Sequence, residues 1–93
     1  MDGAAPPVWV FHGDDSRFAS AVFESETDAA AWVARYGLSG VLTEYPVNDG
    51  CYDIAVREGH FRPTRSHHGT AEHIAAFSAG WALRVHFEHG RPA

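Results

Sequence analysis

Lysine is absent from this chain of 93 residues, and cysteine occurs only once, as Cys51. A single thiol cannot form an internal disulfide or supply the cysteine pairs of a zinc knuckle, so the sequence favours a reducing compartment. No apolar run approaches the roughly 20 residues that cross a bilayer, and the first residues lack the basic start and apolar segment of a signal peptide. We therefore expect a soluble cytoplasmic protein with no membrane association.

A basic surface is also missing. The seven basic residues are all arginines and face twelve acidic ones, which gives a formal charge of -5 with neutral histidines. Nucleic-acid binding usually requires a basic face, so this balance argues against it. An acidic chain suits a basic partner, although the same charge also simply keeps a small protein in solution.

The length allows one domain with one modest core. Hydrophobic residues make up 45% of the chain, aromatic residues 13% and charged residues 20%, which is typical of a folded globule. A multi-domain enzyme is excluded at this length. We expect a flexible leader over residues 1–7, a single domain over residues 8–90 and a short tail over residues 91–93.

Residues 25–47 show the clearest local pattern. Ser25 can cap a helix whose apolar stripe recurs at three- and four-residue spacing through Trp32 and Val33. Gly37 suits the left-handed residue that ends a helix. The alternating residues that follow, 41–47, predict a strand beside this helix, with Pro46 near its end.

The rest of the chain divides into three further strands and two further helices. We predict strands over residues 8–12, 18–23 and 81–87, and helices over residues 51–58 and 71–79. In the last strand Trp81, Leu83, Val85 and Phe87 alternate with polar residues and should face the core. The predicted fold is α+β: a mostly antiparallel sheet of about four strands packed against two or three helices, in the order β-β-α-β-α-α-β.

An ordered series of motifs runs through the chain: VWVFHGD at 8–14, VFES at 22–25, AxxW at 29–32, LSGxLTxYPV at 38–47, GxYDxA at 50–55, GxF at 59–61 and HFEHG at 86–90. The series resembles a small bacterial family of domains of unknown function. The resemblance covers residues 8–90 and implies a bacterial protein, but it carries no reaction or ligand. The family's last strand often reads HYHYEDG, where this chain has RVHFEHG.

Seven histidines in so short a chain are its most unusual feature. Imidazole is the commonest metal ligand, and His67, His68 and His73 would place two loop nitrogens near one on the first turn of a helix. Zinc is the metal such a set would take. The spacing matches no known metal motif, so surface or capping histidines are the other interpretation.

The chain contains the residue types that nucleophilic catalysis needs, but no catalytic sequence motif. His12, Asp14, Ser16, Cys51 and Asp53 include a nucleophile, a base and acids. The chain has no GxSxG elbow, no glycine-rich phosphate loop and no carboxylate pair in a recognisable frame. We therefore expect a protein that is not an enzyme.

Residues 60–69 form a long loop for so small a domain, and long loops often carry function. Arg62, Arg65, His67 and His68 make it locally basic, and it could receive a carboxylate or phosphate group. Arg84 and His86 lie on the polar face of the last predicted strand, which meets either water or a partner.

The sequence thus predicts a non-catalytic bacterial binding or adaptor module. It would act on a protein partner or by self-association along a sheet edge, and an immunity-type inhibitor is one concrete version. The alternative is a small metal- or ligand-binding protein centred on His67, His68 and His73, with or without catalysis.

Overall fold

A computed structural model of the chain describes residues 5–93. Five strands form one antiparallel sheet in the order β2-β1-β3-β4-β5. The elements are β1 (Val8–Gly13), β2 (Ala21–Phe23), α1 (Glu26–Tyr36), β3 (Gly40–Tyr45), α2 (Cys51–Arg57), α3 (Ala71–Ala76), β4 (Arg84–Glu88) and β5 (Arg91–Pro92). The predicted α+β class with a mostly antiparallel sheet is confirmed. The first four residues of the predicted leader lie outside the described part, and residues 5–7 are exposed.

Helix α1 begins and ends where its local signals predict. The Ser25 hydroxyl accepts the N–H of Asp28 at 3.1 Å, which caps the first turn. Gly37 adopts the left-handed conformation with φ of 65°, and the N–H of Leu38 returns to the carbonyl of Val33 at 3.0 Å. Both ends therefore close with hydrogen bonds, as in a capped helix with a Schellman-type stop.

The core lies between α1 and one face of the sheet. Phe11 and Leu42 pair across β1 and β3, and both are buried against Ala29 and Val33 of the helix. Alternation along each strand sends every second residue to this face, which explains the pattern. Each fully buried aliphatic or aromatic side chain contributes about 1.5–3 kcal/mol to folding.

The opposite face of the sheet is partly covered by the segment after α3. Val10, Thr43 and Arg84 stand side by side across β1, β3 and β4. The Arg84 guanidinium donates to the carbonyl of Ala79 at 3.0 Å, and Ala79 is buried. This segment therefore gives the sheet a second, thinner cover, which buries Thr43.

The last strand differs from its prediction. β4 begins at Arg84, so Trp81 and Leu83 lie outside it, and the Leu83 side chain is 66% exposed. Only the carbonyl of Leu83 continues the ladder, by accepting the N–H of Glu44 at 3.0 Å. Val85 and Phe87 do face the core as predicted. β4 begins only at Arg84 because the residues before Leu83 turn onto the opposite face of the sheet.

A fifth strand occupies residues that the sequence analysis assigned to the tail. Arg91 pairs with Glu88, and the two residues between them, His89 and Gly90, both have positive φ, 50° and 87°. Two consecutive residues of this kind are typical of a type I′ hairpin turn. His-Gly is a weaker signal for that turn than Asn-Gly, so the hairpin was missed.

Two further elements are shorter than predicted. β2 covers only Ala21–Phe23, and Phe18 is 75% exposed instead of lying in the strand. α3 ends at Ala76, because Phe77 takes an extended conformation that places its ring beside Tyr52. None of the helices in residues 5–93 is long and apolar enough to span a bilayer.

Candidate functional site

The two short helices and the loop between them form a small helical lobe, residues 50–77, with its own aromatic cluster. Its members pack with ring centroids about 5–6 Å apart: Tyr52, Phe61, His68, His73 and Phe77. All five are only partly buried. The lobe is therefore held by ring contacts at its surface, and two of those rings are predicted site residues.

His68 fixes the path of the basic loop, residues 60–69. Its Nδ1 accepts the backbone N–H of Thr64 at 3.0 Å and that of Arg65 at 3.1 Å. A turn brings the ring back over the loop, since the N–H of His68 donates to the carbonyl of Arg65 at 3.0 Å. One imidazole nitrogen thus satisfies two loop amides that would otherwise point to water.

His73 makes the equivalent bond one turn further on. Its Nδ1 accepts the N–H of Gly69 at 3.2 Å, and Gly69 has φ of 83°, which aims that N–H at the ring. Thr70 caps α3 by accepting the N–H of His73 at 3.2 Å and donates its own hydroxyl proton to the carbonyl of His67 at 2.9 Å. The end of the basic loop and the start of α3 therefore form one hydrogen-bonded unit.

These bonds assign the tautomer of both rings. A nitrogen that accepts N–H bonds carries no proton, so neutral His68 and His73 hold their proton on Nε2. Neither Nε2 atom bonds another group in residues 5–93, and no buried side-chain nitrogen or oxygen there lacks a partner. Both Nε2–H groups are therefore hydrogen-bond donors that residues 5–93 leave unused.

The environment of His68 disfavours its protonated form. Desolvation lowers the pKa of His68 from its ordinary value of 6.5. The electrostatic effects of His67, His73 and Arg65 act in the same direction. Arg65 is the permanent positive charge among them, on a chain whose formal charge is -5 with neutral histidines.

The two arginines of the basic loop are available to a partner. Arg62 and Arg65 are exposed. Among residues 5–93 the carboxylate ion pairs are Arg57 with Asp49 at 2.8 Å and His60 with Glu58 at 3.7 Å, so neither loop arginine is engaged there. A guanidinium without a carboxylate can bind one from outside in a bidentate geometry.

Two other predicted site residues lie on β4. His86 is exposed on the sheet face opposite the core, in register with Val41. Arg84 shares that face, but its guanidinium already donates to the carbonyl of Ala79. Arg84 therefore serves packing first, and a role in partner binding stays a prediction for both residues.

The three histidines predicted as metal ligands do come together. The ring centroids of His67 and His68 are 4.4 Å apart, and His73 lies 5.7 Å from the first and 4.9 Å from the second. Within residues 5–93, however, no three His, Cys, Asp or Glu side chains are arranged to hold a metal ion. Metal-binding imidazoles donate their second N–H to an acceptor, whereas here Nδ1 of two rings faces N–H donors. Zinc binding stays a prediction that this arrangement disfavours.

Two of the candidate catalytic residues, His12 and Cys51, have described surroundings that bear on catalysis. Nε2 of His12 lies 2.6 Å from the carbonyl oxygen of Ser16 and so donates to the backbone. Burial raises the pKa of the Cys51 thiol above 9.0, which reduces its thiolate content at neutral pH. These positions therefore add nothing in favour of catalysis.

Comparison with known proteins places this lobe and sheet in one family. Residues 8–93 match the family described as domain of unknown function, DUF7710. The chain belongs to the DUF7710 family. No functionally curated protein and no solved structure is significantly similar to it. Membership confirms the predicted resemblance to a family of unknown function and adds no reaction, so the chemistry of this DUF7710 domain is argued from its residues.

The DUF7710 domain also has a cleft that none of the predicted site residues lines. It is a cleft of about 680 Å³ between the β1–β2 connection and the second half of α1, with Asp14, Trp32 and Tyr36 among its walls. Tyr36 is 57% exposed although it continues the apolar stripe of α1. The sequence signal for this cleft is that the apolar stripe of α1 continues to Tyr36, beyond the helix residues that the core buries.

Proposed function

We propose that this chain is a non-catalytic bacterial module that binds a protein partner through its basic loop. The observation that carries the proposal is that Arg62 and Arg65 are exposed on this loop with no carboxylate partner in residues 5–93. Arginine is enriched at the residues that dominate binding energy in protein interfaces.

The conformation of the loop supports the same proposal. His68 ties the backbone at Thr64 and Arg65, so the part of the loop that carries Arg65 is ordered before a partner arrives. Ordering a free loop costs binding energy, and a preorganised one avoids part of that cost. The partner would present a carboxylate or phosphate group to the guanidinium groups.

An immunity-type inhibitor of a partner protein is one version of this function, in the bacterial cytoplasm. Self-association is the other version, because the three-residue strand β2 ends the sheet and its Val22 is 62% exposed. The unpaired backbone N–H and C=O groups of an edge strand are the groups with which a second copy would pair.

A metal-binding function is the alternative, and one observation favours it: the rings of His67, His68 and His73 lie within 5.7 Å of one another. Zinc would have to displace the N–H bonds to Nδ1 or bind at deprotonated Nε2. Native mass spectrometry with and without zinc tests this alternative directly.

The proposed function is tested by capture from a lysate of the native host with charge-reversed variants. The double variant Arg62→Glu/Arg65→Glu should lose a stoichiometric partner that the unaltered chain retains, because the reversed charges repel its anionic group. Arg17→Glu/Arg91→Glu is the matched control, since it changes the charge equally at exposed residues outside the loop.

Equal loss of the partner from both double variants would show that overall charge, and not the basic loop, is recognised. Retention of the partner by the loop variant would assign binding to another surface. A monomeric native mass together with no stoichiometric partner would count against both versions of the proposal.

A further inference from the structure

We propose that Arg65, His67, His68 and His73 form a binding site for a phosphate-class oxyanion, as carried by a phosphate monoester. The proposal rests on the proposed function in one respect, since it takes the basic loop as the contact surface and names the group recognised there. It replaces the metal cation of the alternative interpretation with an anion.

Hydrogen-bond direction is the first argument. Nδ1 of His68 and Nδ1 of His73 accept backbone N–H groups, so each neutral ring presents an N–H donor at Nε2. Donor groups bind anions and repel metal cations. The same backbone contacts that oppose zinc therefore prepare both rings for an oxyanion.

Accessibility and spacing are the second argument. Residues 5–93 use neither Nε2–H group as a donor, and the ring centroids of His68 and His73 are 4.9 Å apart. A charge-assisted N–H···O bond is about 2.7–2.9 Å long, and the proposed site requires that one tetrahedral ion accepts such bonds from both neighbouring rings. His67 adds a third imidazole, 4.4 Å from His68 between ring centroids.

Charge is the third argument. The permanent charge that acts on His68 is that of Arg65, and it favours an anion. Glu72 precedes His73 on α3, but it is exposed and forms no ion pair with the described residues of the cluster. Arg65 therefore carries its charge without a carboxylate bonded to it among residues 5–93.

The number of donors favours phosphate over carboxylate. Arg65 has five N–H donors in a planar fork, and the histidines add their Nε2–H groups, whereas a carboxylate has two oxygens to receive them. A phosphate monoester has three acceptor oxygens and carries a charge between about -1.5 and -2 at neutral pH. It can use more of the donors at once.

The test is a titration of the full chain at pH 7.5, followed by the NMR signals of the imidazole nitrogens and of the Thr64 and Arg65 amides. The probes are inorganic phosphate and N-acetyl-phosphoserine amide, which separate the free ion from the monoester, with acetate as the carboxylate comparator and zinc as the metal. We expect saturable shifts with both phosphates, and binding by acetate weaker by about tenfold, one lost charge-assisted bond.

Three variants distinguish donation of a hydrogen bond to phosphate from the bonds that hold the Thr64 and Arg65 amides. Arg65→Gln removes charge at an exposed position and should weaken phosphate binding about tenfold. His68→Asn places an acceptor near the position of Nδ1 but removes the donor, so it should keep the Thr64 and Arg65 amide signals and weaken phosphate binding. His68→Gln places a donor near the position of Nε2 and should lose the amide bonds.

Equal shifts with acetate and phosphate, or phosphate shifts unchanged in Arg65→Gln and His68→Asn, would overturn the oxyanion site. Stoichiometric zinc bound by His67, His68 and His73 would overturn it in favour of the metal. If phosphate fails while lysate capture still depends on the loop arginines, only this inference falls. If phosphate binds while no partner is captured, the oxyanion site stands and the proposed function falls.

Discussion

Nδ1 of His68 lies 3.0 Å from the backbone nitrogen of Thr64 and accepts its proton. A proton added to His68 would occupy that same nitrogen, so it would face the Thr64 N–H instead of receiving it. The structure of the basic loop is thereby linked to the protonation state of one side chain.

We predict that acid loosens the basic loop. The pKa of His68 is lowered in the folded chain, so the open loop binds more protons than the closed loop. The stabilisation of the closed loop is therefore fully present above the ordinary pKa value of 6.5. It is lost as pH falls below 6.5 through the lowered pKa. Amide exchange at Thr64 and Arg65, measured by NMR from pH 7.5 to 5, should accelerate beyond its intrinsic pH dependence.

His68→Asn is the control for this prediction, because its side-chain oxygen accepts the same amides and does not titrate. Its Thr64 and Arg65 amides should keep their protection through the same pH range. If they lose protection as the unaltered chain does, another group, such as His73 at the Gly69 amide, controls the loop.

Leu42 and Leu83 should lose very different amounts of stability on substitution by alanine. Leu42 is 0% exposed between β1, β4 and α1, so Leu42→Ala leaves a cavity and should lower the free energy of unfolding by about 2–5 kcal/mol. Leu83→Ala, at a side chain that is 66% exposed, should change it by less than about 0.5 kcal/mol. Urea denaturation of both variants measures the difference.

Comparable losses for the two leucines would place Leu83 in the core, as the alternating pattern of residues 81–87 predicted. The pattern itself cannot decide this, because alternation persists where a chain turns away from a sheet. Only the segment that crosses the opposite face, with Ala79 under Arg84, shows why the strand begins late.

Local sequence signals predicted the bounds of the first helix well. Elsewhere tertiary contacts determine where an element ends. Ser25 and Gly37 act through bonds within a few residues, so their effect can be read from sequence. The end of α3 at Ala76 depends on Phe77 packing against Tyr52, which lies 25 positions earlier and has no local sequence signal. Short helices with few buried residues are easily overridden in this way.

The candidate site was likewise predicted in part, where its features depend on residues close in the chain. Sequence predicted that His67, His68 and His73 would gather, because they lie close in the chain. It did not predict that two of them accept backbone protons at Nδ1, which depends on loop φ and ψ angles. Composition therefore suggested a metal, whereas bond direction favours an anion.

We predict that Gly40→Ala separates β1 from β3. A Cβ on Gly40 would meet the carbonyl oxygen of His12 and lie 2.8 Å from Cα of Gly13, and both are backbone atoms in the paired strand. The two strands cannot move apart without losing backbone hydrogen bonds between them. The free energy of unfolding should therefore fall by at least about 2 kcal/mol. Gly80→Ala, where a Cβ meets nothing within 4 Å, is the matched control.

Thermal denaturation compares the two glycine variants. An unchanged midpoint for Gly40→Ala would mean that β1 and β3 are spaced more widely than this register allows. A large loss in Gly80→Ala would point to a special backbone requirement at the turn after Ala79, which its ordinary φ does not indicate.

Thr70 offers the last test, because its hydroxyl joins the basic loop to α3. It accepts the N–H of His73 and donates to the carbonyl of His67, so Thr70→Ala removes a helix cap and a loop bond together. Caps of this kind contribute about 0.5–2 kcal/mol, which is large for a six-residue helix. We expect faster amide exchange at Gly69 and His73 with little change in the sheet, since no core residue is altered. Thr70→Ser keeps the hydroxyl and should keep the protection; if it loses protection like Thr70→Ala, the threonine methyl group and not the hydrogen bonds holds the lobe.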